Sequence, residues 1–267
     1  MKIGFIGTGN MGVAIIKGFL SNDKSDSENI YAFDRDIDKL SELTKELGIK
    51  PCRNIGELVE VSDIIVIAVK PNIYELVLPE IDAAYKSDKI LISIAAGISI
   101  GYIEKHISID KAKIVRVMPN TPAMVNESMT AVCRNNNLTD SEFDAVFHIF
   151  TSIGKAEIVD EQLIDTVIGV SGSSPAYTYM FIEALIDSAV TNGMKKEQAT
   201  IFAAQSVLGA AKMVLETGIN PVILRENVCS PGGTTIEAVK VLQRNGFHDN
   251  VIEAVKAAVD KSKIMTK

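Results

Sequence analysis

The chain carries only three cysteines and three histidines in 267 residues, and neither set is spaced for metal chemistry. Cys52, Cys133 and Cys229 lie far apart with no CxxC pair, which disfavours both a disulfide framework and a zinc site. We read them as reduced thiols, and Cys229 as a small buried residue rather than a nucleophile. His106, His148 and His248 are equally scattered and read as surface residues, and HExxH is absent. GxSxG is missing too, and the SGSSP run at 171–175 follows no strand that would bear a nucleophile, which argues against a hydrolase. An excess of basic charge is lacking: 27 Lys and Arg stand against 34 Asp and Glu, a net charge of −7. That balance disfavours a non-specific binder of nucleic acid or anionic membranes, so any anionic ligand must be held locally.

Long apolar runs are also missing. The least polar window, 199–215, contains Thr200, Gln205, Ser206 and Lys212, and is too short for a membrane span of roughly 20 apolar residues. It reads as a buried helix. No basic region followed by an apolar stretch and a cleavage site opens the sequence, so a cytoplasmic protein is expected. Internal repeats and low-complexity tracts are absent. What remains is a composition with 47% hydrophobic and 23% charged residues, that of an ordinary globular protein, long enough for one large or two ordinary domains.

The first half alternates short apolar runs with amphipathic segments. KIGFI precedes a helix pattern at about 10–20, and IYAF precedes another at 37–47. DIIVIAV at 63–69, KILISIA at 89–95 and KIVRVM at 113–118 are rich in β-branched residues with little alternation, as in strands covered on both faces. This rhythm predicts an α/β fold, a doubly wound, mainly parallel sheet. Shorter strands at 129–133 and 155–158, flanking a helix at 139–150, are expected to extend one sheet edge. Beyond about 160 the pattern is all helical, at 174–192, 196–216, 236–245 and 250–263. We therefore divide the chain into a dinucleotide-binding domain at 1–160 and a helical domain at 161–267. The second of these helices is apolar around much of its circumference and needs cover on most sides, which predicts a homodimer through the helical domain.

GTGNMG at 7–12 follows the first strand and opens the first helix, the context in which GxGxxG is informative. In a Rossmann-type turn of this kind Gly7 permits the bend, Gly9 admits the pyrophosphate, and Gly12 lets helix and strand pack closely. Thr8, Asn10 and Met11 complete the loop, whose N–H groups and helix dipole favour phosphate. Asp34 ends the second strand, 22 positions after Gly12, where a carboxylate accepts from ribose hydroxyls and repels a 2′-phosphate. Arg35 beside it is placed to stack on adenine or meet that phosphate. The balance leans to NADH with NADPH tolerated; the competing role for Asp34 is a helix N-cap. Lys70-Pro71 and the AAG run at 95–97 end two further strands at carboxyl ends, where open α/β sheets bind ligands. With no metal or nucleophile pattern, such a domain joined to a helical one points to hydride transfer, the hard chemistry being the cofactor's.

The chain resembles the pyrroline-5-carboxylate reductases over essentially its whole length. The resemblance rests on IGTGNMG at 6–12, AVKP at 68–71, SIAAGIS at 93–99, MPNTP at 118–122, GVSGSSPAY at 169–177 and NVCSPGGTTIEAV at 227–239. It implies NAD(P)H-dependent reduction of the cyclic imine L-1-pyrroline-5-carboxylate to L-proline, with intertwined dimers that sometimes form larger rings. It also implies that Asn54, Ala68, Val69, Lys70, Pro71 and Ala95 join the glycine loop in holding the cofactor. Ser230, Gly232, Gly233, Thr234 and Thr235 would hold the substrate, with Thr235 near the imine nitrogen. Two departures stand out: Ser174 replaces a more usual glycine, and Asp34-Arg35 differs from the Ser- or Asn-containing stretch of many NADPH-preferring members. Successive backbone N–H groups at a helix start suit a carboxylate, and a neutral hydroxyl suits a C=N nitrogen that carries a proton. A β-hydroxyacid dehydrogenase is the nearest rival, but the helix beginning at 174 lacks the lysine that chemistry needs. A non-catalytic NAD(H) sensor has no use for the SPGGTT loop.

Overall fold

The computed structural model describes residues 1–22 and 24–267. Its chain falls into two compact units, one of residues 1–172 with 258–267, the other of 173–257. The division after Gly172 comes later than the expected boundary at 160, because the short segments after the last strand pack on the sheet. The last ten residues also return to the first unit, which no local pattern announces.

In the first unit β1 (Ile3–Ile6) leads into α1 (Asn10–Asn22), then β2 (Ile30–Phe33), α2 (Ile37–Leu47), β3 (Lys50–Pro51) and α3 (Ile55–Val61). There follow β4 (Ile64–Ile67), α4 (Tyr74–Asp82), β5 (Ile90–Ser93), α5 (Ile100–Glu104) and β6 (Lys113–Met118). After these come β7 (Ser128–Arg134), α6 (Asp140–Thr151), β8 (Gly154–Ile158) and α7 (Ile164–Val167). The eight strands lie in the order β3-β2-β1-β4-β5-β6-β7-β8, parallel except that β7 runs antiparallel to β6. The chain builds outward from β1 to β3, then crosses back to lay β4 on the other side of β1. That reversal opens a crevice at the carboxyl ends of β1 and β4.

The near-continuous apolar strands are explained by cover on both faces. One core gathers Ile15 and Ile16 of α1, Leu40 and Leu43 of α2 and Phe150 of α6 beneath Phe5, Val66 and Val115. The other packs Leu58 of α3, Leu78 of α4 and Ile103 of α5 against Ile6, Ile67 and Ile114. Helix limits follow local chemistry. Asp36 caps α2 by accepting from Lys39 N, left-handed Gly48 ends it, and Thr139 with Glu142 forms a capping box on α6.

The second unit is all helical: α8 (Ser174–Thr191), α9 (Lys196–Thr217), α10 (Pro221–Val228), α11 (Thr234–Arg244) and most of α12 (Phe247–Met265). The eight-residue α10 is too short to announce itself by periodicity. Its start is local chemistry, Asn220 accepting from Val222 N with Pro221 at the first turn. The single chain by itself does not bury the helix expected at 199–215. Within the chain α9 packs on α8, only Ala199 and Ala203 are buried, and Ile201, Phe202, Leu208 and Leu215 are each more than half exposed. One neighbouring helix covers one side of a cylinder that is apolar on several. Among the described residues no helix is long and apolar enough to cross a membrane.

Candidate functional site: a dinucleotide crevice and a glycine loop

The three loop glycines differ in what surrounds them. Gly7 has φ +97°, and a Cβ there would come within 2.9 Å of Ala68 O, so the bend and the crowding both demand glycine. Gly12 sits where α1 crosses β1 and β4: a Cβ would lie 2.7 Å from Gly7 O and 3.2 Å from the Ala68 side chain. Gly9 is the opposite case, with no atom within 4 Å of where its Cβ would be. A residue that needs no glycine for its own packing faces open space at the mouth of a helix. That space is one an incoming group could fill, and it lies where the N–H groups of α1's first turn are unpaired by the helix itself.

Asp34 does not cap α2; Asp36 does. The Asp34 carboxylate turns back to the glycine loop instead, its Oδ2 accepting from Thr8 N at 2.6 Å and Thr8 Oγ1 at 2.7 Å, and its Oδ1 from Asp36 N at 3.1 Å. Partial burial pushes its pKa up, but the bonds from Thr8 and Asp36 and the nearby Lys39 charge outweigh this and hold it below the usual value. The group is therefore ionised at neutral pH, and its contribution to the loop is lost only as pH falls through that lowered value. A carboxylate offers about four acceptor positions, so three bonds leave Oδ1 room for one more donor. Thr8 is wholly buried, and its part in the loop is exerted through Asp34.

Gly7, Gly9, Asp34, Arg35, Ala68, Val69 and Lys70 border one cavity of about 330 Å³. It adjoins a hollow of about 710 Å³ shared by Asp34, Arg35, Ser41 and Arg53. Arg35 is exposed, whereas Arg53 forks onto Glu57 with Nε and Nη2 at 3.1 and 3.3 Å. Lys70 is exposed just before a short turn that begins with Pro71. Asn54 lies outside that lining and spends its side-chain oxygen capping α3, accepting from Glu57 N at 2.8 Å. Ala95 is buried just beyond the end of β5, also outside the lining. Asn10 borders a separate hollow of about 470 Å³ on the other face of the sheet, where Lys17 pairs with Glu46 at 2.6 Å.

In the second unit the SPGGTT stretch is a tight turn into α11. Gly233 N donates to Ser230 O at 3.0 Å, Gly232 has φ +70°, and Gly233 occupies the N-cap position without a capping side chain. Helix α11 begins at Thr234, two residues before the Ile236 start expected from periodicity, because the two threonines form its first turn. The Thr235 hydroxyl is half-buried and has no hydrogen-bond partner among the described residues. Cys229 is not buried as expected; it is partly exposed in the single chain, at the last turn of α10 with its N–H on Glu226 O. All three histidines are exposed, and no cluster of metal-binding side chains occurs among the described residues.

Residues 161–265 match the family model for pyrroline-5-carboxylate reductase dimerisation, and residues 2–97 match that for NADP oxidoreductase, coenzyme F420-dependent. Pyrroline-5-carboxylate reductase of Escherichia coli strain K12 is 47% identical over 266 residues, covering 100% of this chain and 98% of the relative. The chain belongs to the pyrroline-5-carboxylate reductase family. The enzyme of that name from Methanosarcina acetivorans is 40% identical over the same coverage. Among solved structures, the Coxiella burnetii pyrroline-5-carboxylate reductase superposes with a TM-score of 0.92 at 34% identity, covering 100% of this chain and 98% of that one. The Plasmodium falciparum enzyme, solved with NADP bound, gives 0.90 at 36% identity and the same coverage. This chain is thus an NAD(P)-dependent oxidoreductase with a pyrroline-5-carboxylate reductase function and a dimerisation domain.

Gly9 and Gly12 are separable by experiment. Gly12→Ala is expected to cost about 1–3 kcal/mol of stability by overpacking the α1 crossing. Gly9→Ala should leave the urea unfolding midpoint essentially unchanged while weakening NADH binding at least about tenfold, as a methyl displaces the pyrophosphate. Equal destabilisation by the two substitutions would contradict the division of roles.

Proposed function

We propose that the crevice between β1 and β4 holds the dinucleotide, and that the Ser230–Thr235 turn holds the substrate of the reductase reaction. The observation carrying the first half is the open backbone at Gly9, flanked by two glycines that packing does require. The N–H groups around Gly9, Asn10 and Met11, at the positive end of α1, would hold the pyrophosphate. Phe33, Asp34 and Arg35 would border the adenosine, and the stretch from Ala68 to Pro71 with Ala95 would border the nicotinamide, the two alanines leaving room for a flat ring. Asn54 supports this arrangement through the start of α3. When bound, the reduced nicotinamide supplies the hydride that adds to the imine carbon while the C=N π electrons pass to nitrogen.

The chain's own part is binding and orientation. The substrate carboxylate is held by the N–H groups of Gly232, Thr234 and Thr235 with the Ser230 hydroxyl, while the Gly233 N–H closes the turn onto Ser230 O, so no arginine is needed. Thr235 Oγ1 meets the imine nitrogen, stabilising the protonated imine before transfer and the amine after it. Orientation of this kind supplies on the order of 7–11 kcal/mol in well-aligned cases, enough to make a strong acid or base unnecessary.

Asp34 has one acceptor position left for a ribose hydroxyl, and its negative charge opposes a 2′-phosphate. Arg35 offsets part of that repulsion. We therefore assign NADH as the somewhat better cofactor and NADPH as accepted. The bare faces of α9, with Phe202 at 67% and Ile201 at 69% exposed, are assigned to a second copy of the helical unit, giving a homodimer that larger rings can build on.

Thr235→Ala should lower kcat/KM for pyrroline-5-carboxylate by roughly tenfold to a few hundredfold, from the loss of about 1.5–3 kcal/mol at a charged partner. Unchanged kinetics in the folded variant would remove Thr235 from the reaction. Comparing kcat/KM for NADH and NADPH should give a ratio above one; a strong preference for NADPH would overturn the assignment of Asp34. In sedimentation velocity at micromolar concentration the protein should run as a dimer or a multiple of it, and a monomer would leave α9 without its partner.

A further inference from the structure

The turn after β5 starts from buried Ala95, but its Gly97 end is held by groups distant in the chain. Ala95, Ala96 and Gly97 bring no side-chain hydrogen bonds, and Gly97 is left-handed with φ +76°. The hydrogen bond on Gly97 comes from residue 267. Lys267 N donates to Gly97 O at 2.9 Å, and Ser99 donates to Lys267 O from Oγ at 2.6 Å and from N at 3.4 Å. Contact is close enough that a Cβ on Gly97 would lie 2.9 Å from Met265 O. Two carboxylates anchor the C-terminal segment in turn: Asp165 on α7, whose Oδ1 accepts from Ser262 Oγ at 2.5 Å and Thr266 Oγ1 at 3.3 Å, and the more exposed Glu75 on α4, which pairs with Lys267 Nζ at 2.6 Å. Ser262 is 6% exposed, so its end of this anchor lies out of water. On the other side of the turn Glu161 Oε1 accepts from Ile100 N at 2.8 Å and from buried Arg116 Nη1 at 2.9 Å. All of these residues belong to the first compact unit.

We propose that Asp165 is a positioning residue for the cofactor: by anchoring Ser262 and Thr266 it holds the C-terminal segment on Gly97 and so sets the Ala95–Gly97 turn against the nicotinamide ring. This rests on the reading that places the ring beside that turn. A turn already immobilised does not have to be ordered when the dinucleotide arrives, and misplacing a reacting ring by about 1 Å can cost on the order of a hundredfold in rate. The adenosine and pyrophosphate depend on other groups, the glycine loop and Asp34, which touch neither Asp165 nor residues 262–267. A defect in the clasp should therefore be confined to the nicotinamide half of the ligand.

The test compares NADH with ADP-ribose, which keeps the pyrophosphate and adenosine but lacks the ring. In Asp165→Ala the Kd for NADH should rise on the order of five- to tenfold and kcat should fall, while the Kd for ADP-ribose stays within about twofold. Asp165→Asn, which retains an acceptor oxygen at Oδ1, should restore NADH binding to near the original value. Gly97→Ala attacks the same contact from the other side and should reproduce the selective loss; it serves also if Asp165→Ala does not fold. Equal losses for both ligands, or no loss for either, would overturn the proposal. These affinities are measured without turnover, so failure of the native protein to reduce pyrroline-5-carboxylate would count against the functional reading alone.

Discussion

The close approach of α1 to the backbone of β1 and β4 is the constraint on which the rest of the first unit depends. Gly12 lets the helix settle against Gly7 O and Ala68, and Gly7 bends the chain sharply enough to send α1 back along the sheet. With that crossing in place the unpaired N–H groups at the helix start point over the end of the sheet rather than into a core. The crevice exists because the chain reverses between β3 and β4, leaving β1 and β4 adjacent while their following segments depart to opposite faces. An open helix N-terminus and a groove beside it are thus consequences of one packing contact and one reversal of strand order.

Polar groups buried at the same sheet end keep the loops in register with it. The Tyr74 hydroxyl, wholly buried, donates to Ile67 O at the end of β4 and shares a 2.9 Å bond with Ser93 Oγ at the end of β5. It thereby joins the two strands whose loops flank the crevice. Ser93, Arg116 and Cys133 stand opposite one another across β5, β6 and β7, and Arg116 reaches Glu161 beyond the last strand. Burial raises the Cys133 thiol to about 12, keeping it neutral and inert. Groups so deeply buried are costly unless bonded, and their bonds leave the ends of the strands little freedom to drift.

Much of this was legible from residue order alone, for reasons that are local. Apolar runs without alternation marked the strands, since a strand covered on both faces has no polar side. The role of each loop glycine followed from its place between a strand and a helix. Asp34 was recognisable as an acidic group at the end of β2, but its commitment to Thr8 was not, because that bond joins residues 26 apart that only strand pairing brings together. Asn54 was named for the cofactor, and its observed bond is a helix cap. The return of residues 258–267 to the first unit left no trace in periodicity; α12 simply reads as one more amphipathic helix.

By itself, then, the sequence determined the doubly wound sheet, the helical second half and the glycine-rich strand-to-helix turn, because spacing and residue type fix these within a few turns of chain. Only the tertiary structure decided which carboxylate caps α2 and which braces the glycine loop, which faces of α9 the chain leaves bare, and what grips the turn after β5. The brace of the glycine loop and the grip on the turn depend on residues far apart in order meeting at one point. For the pair 97 and 267, no local preference could have announced it.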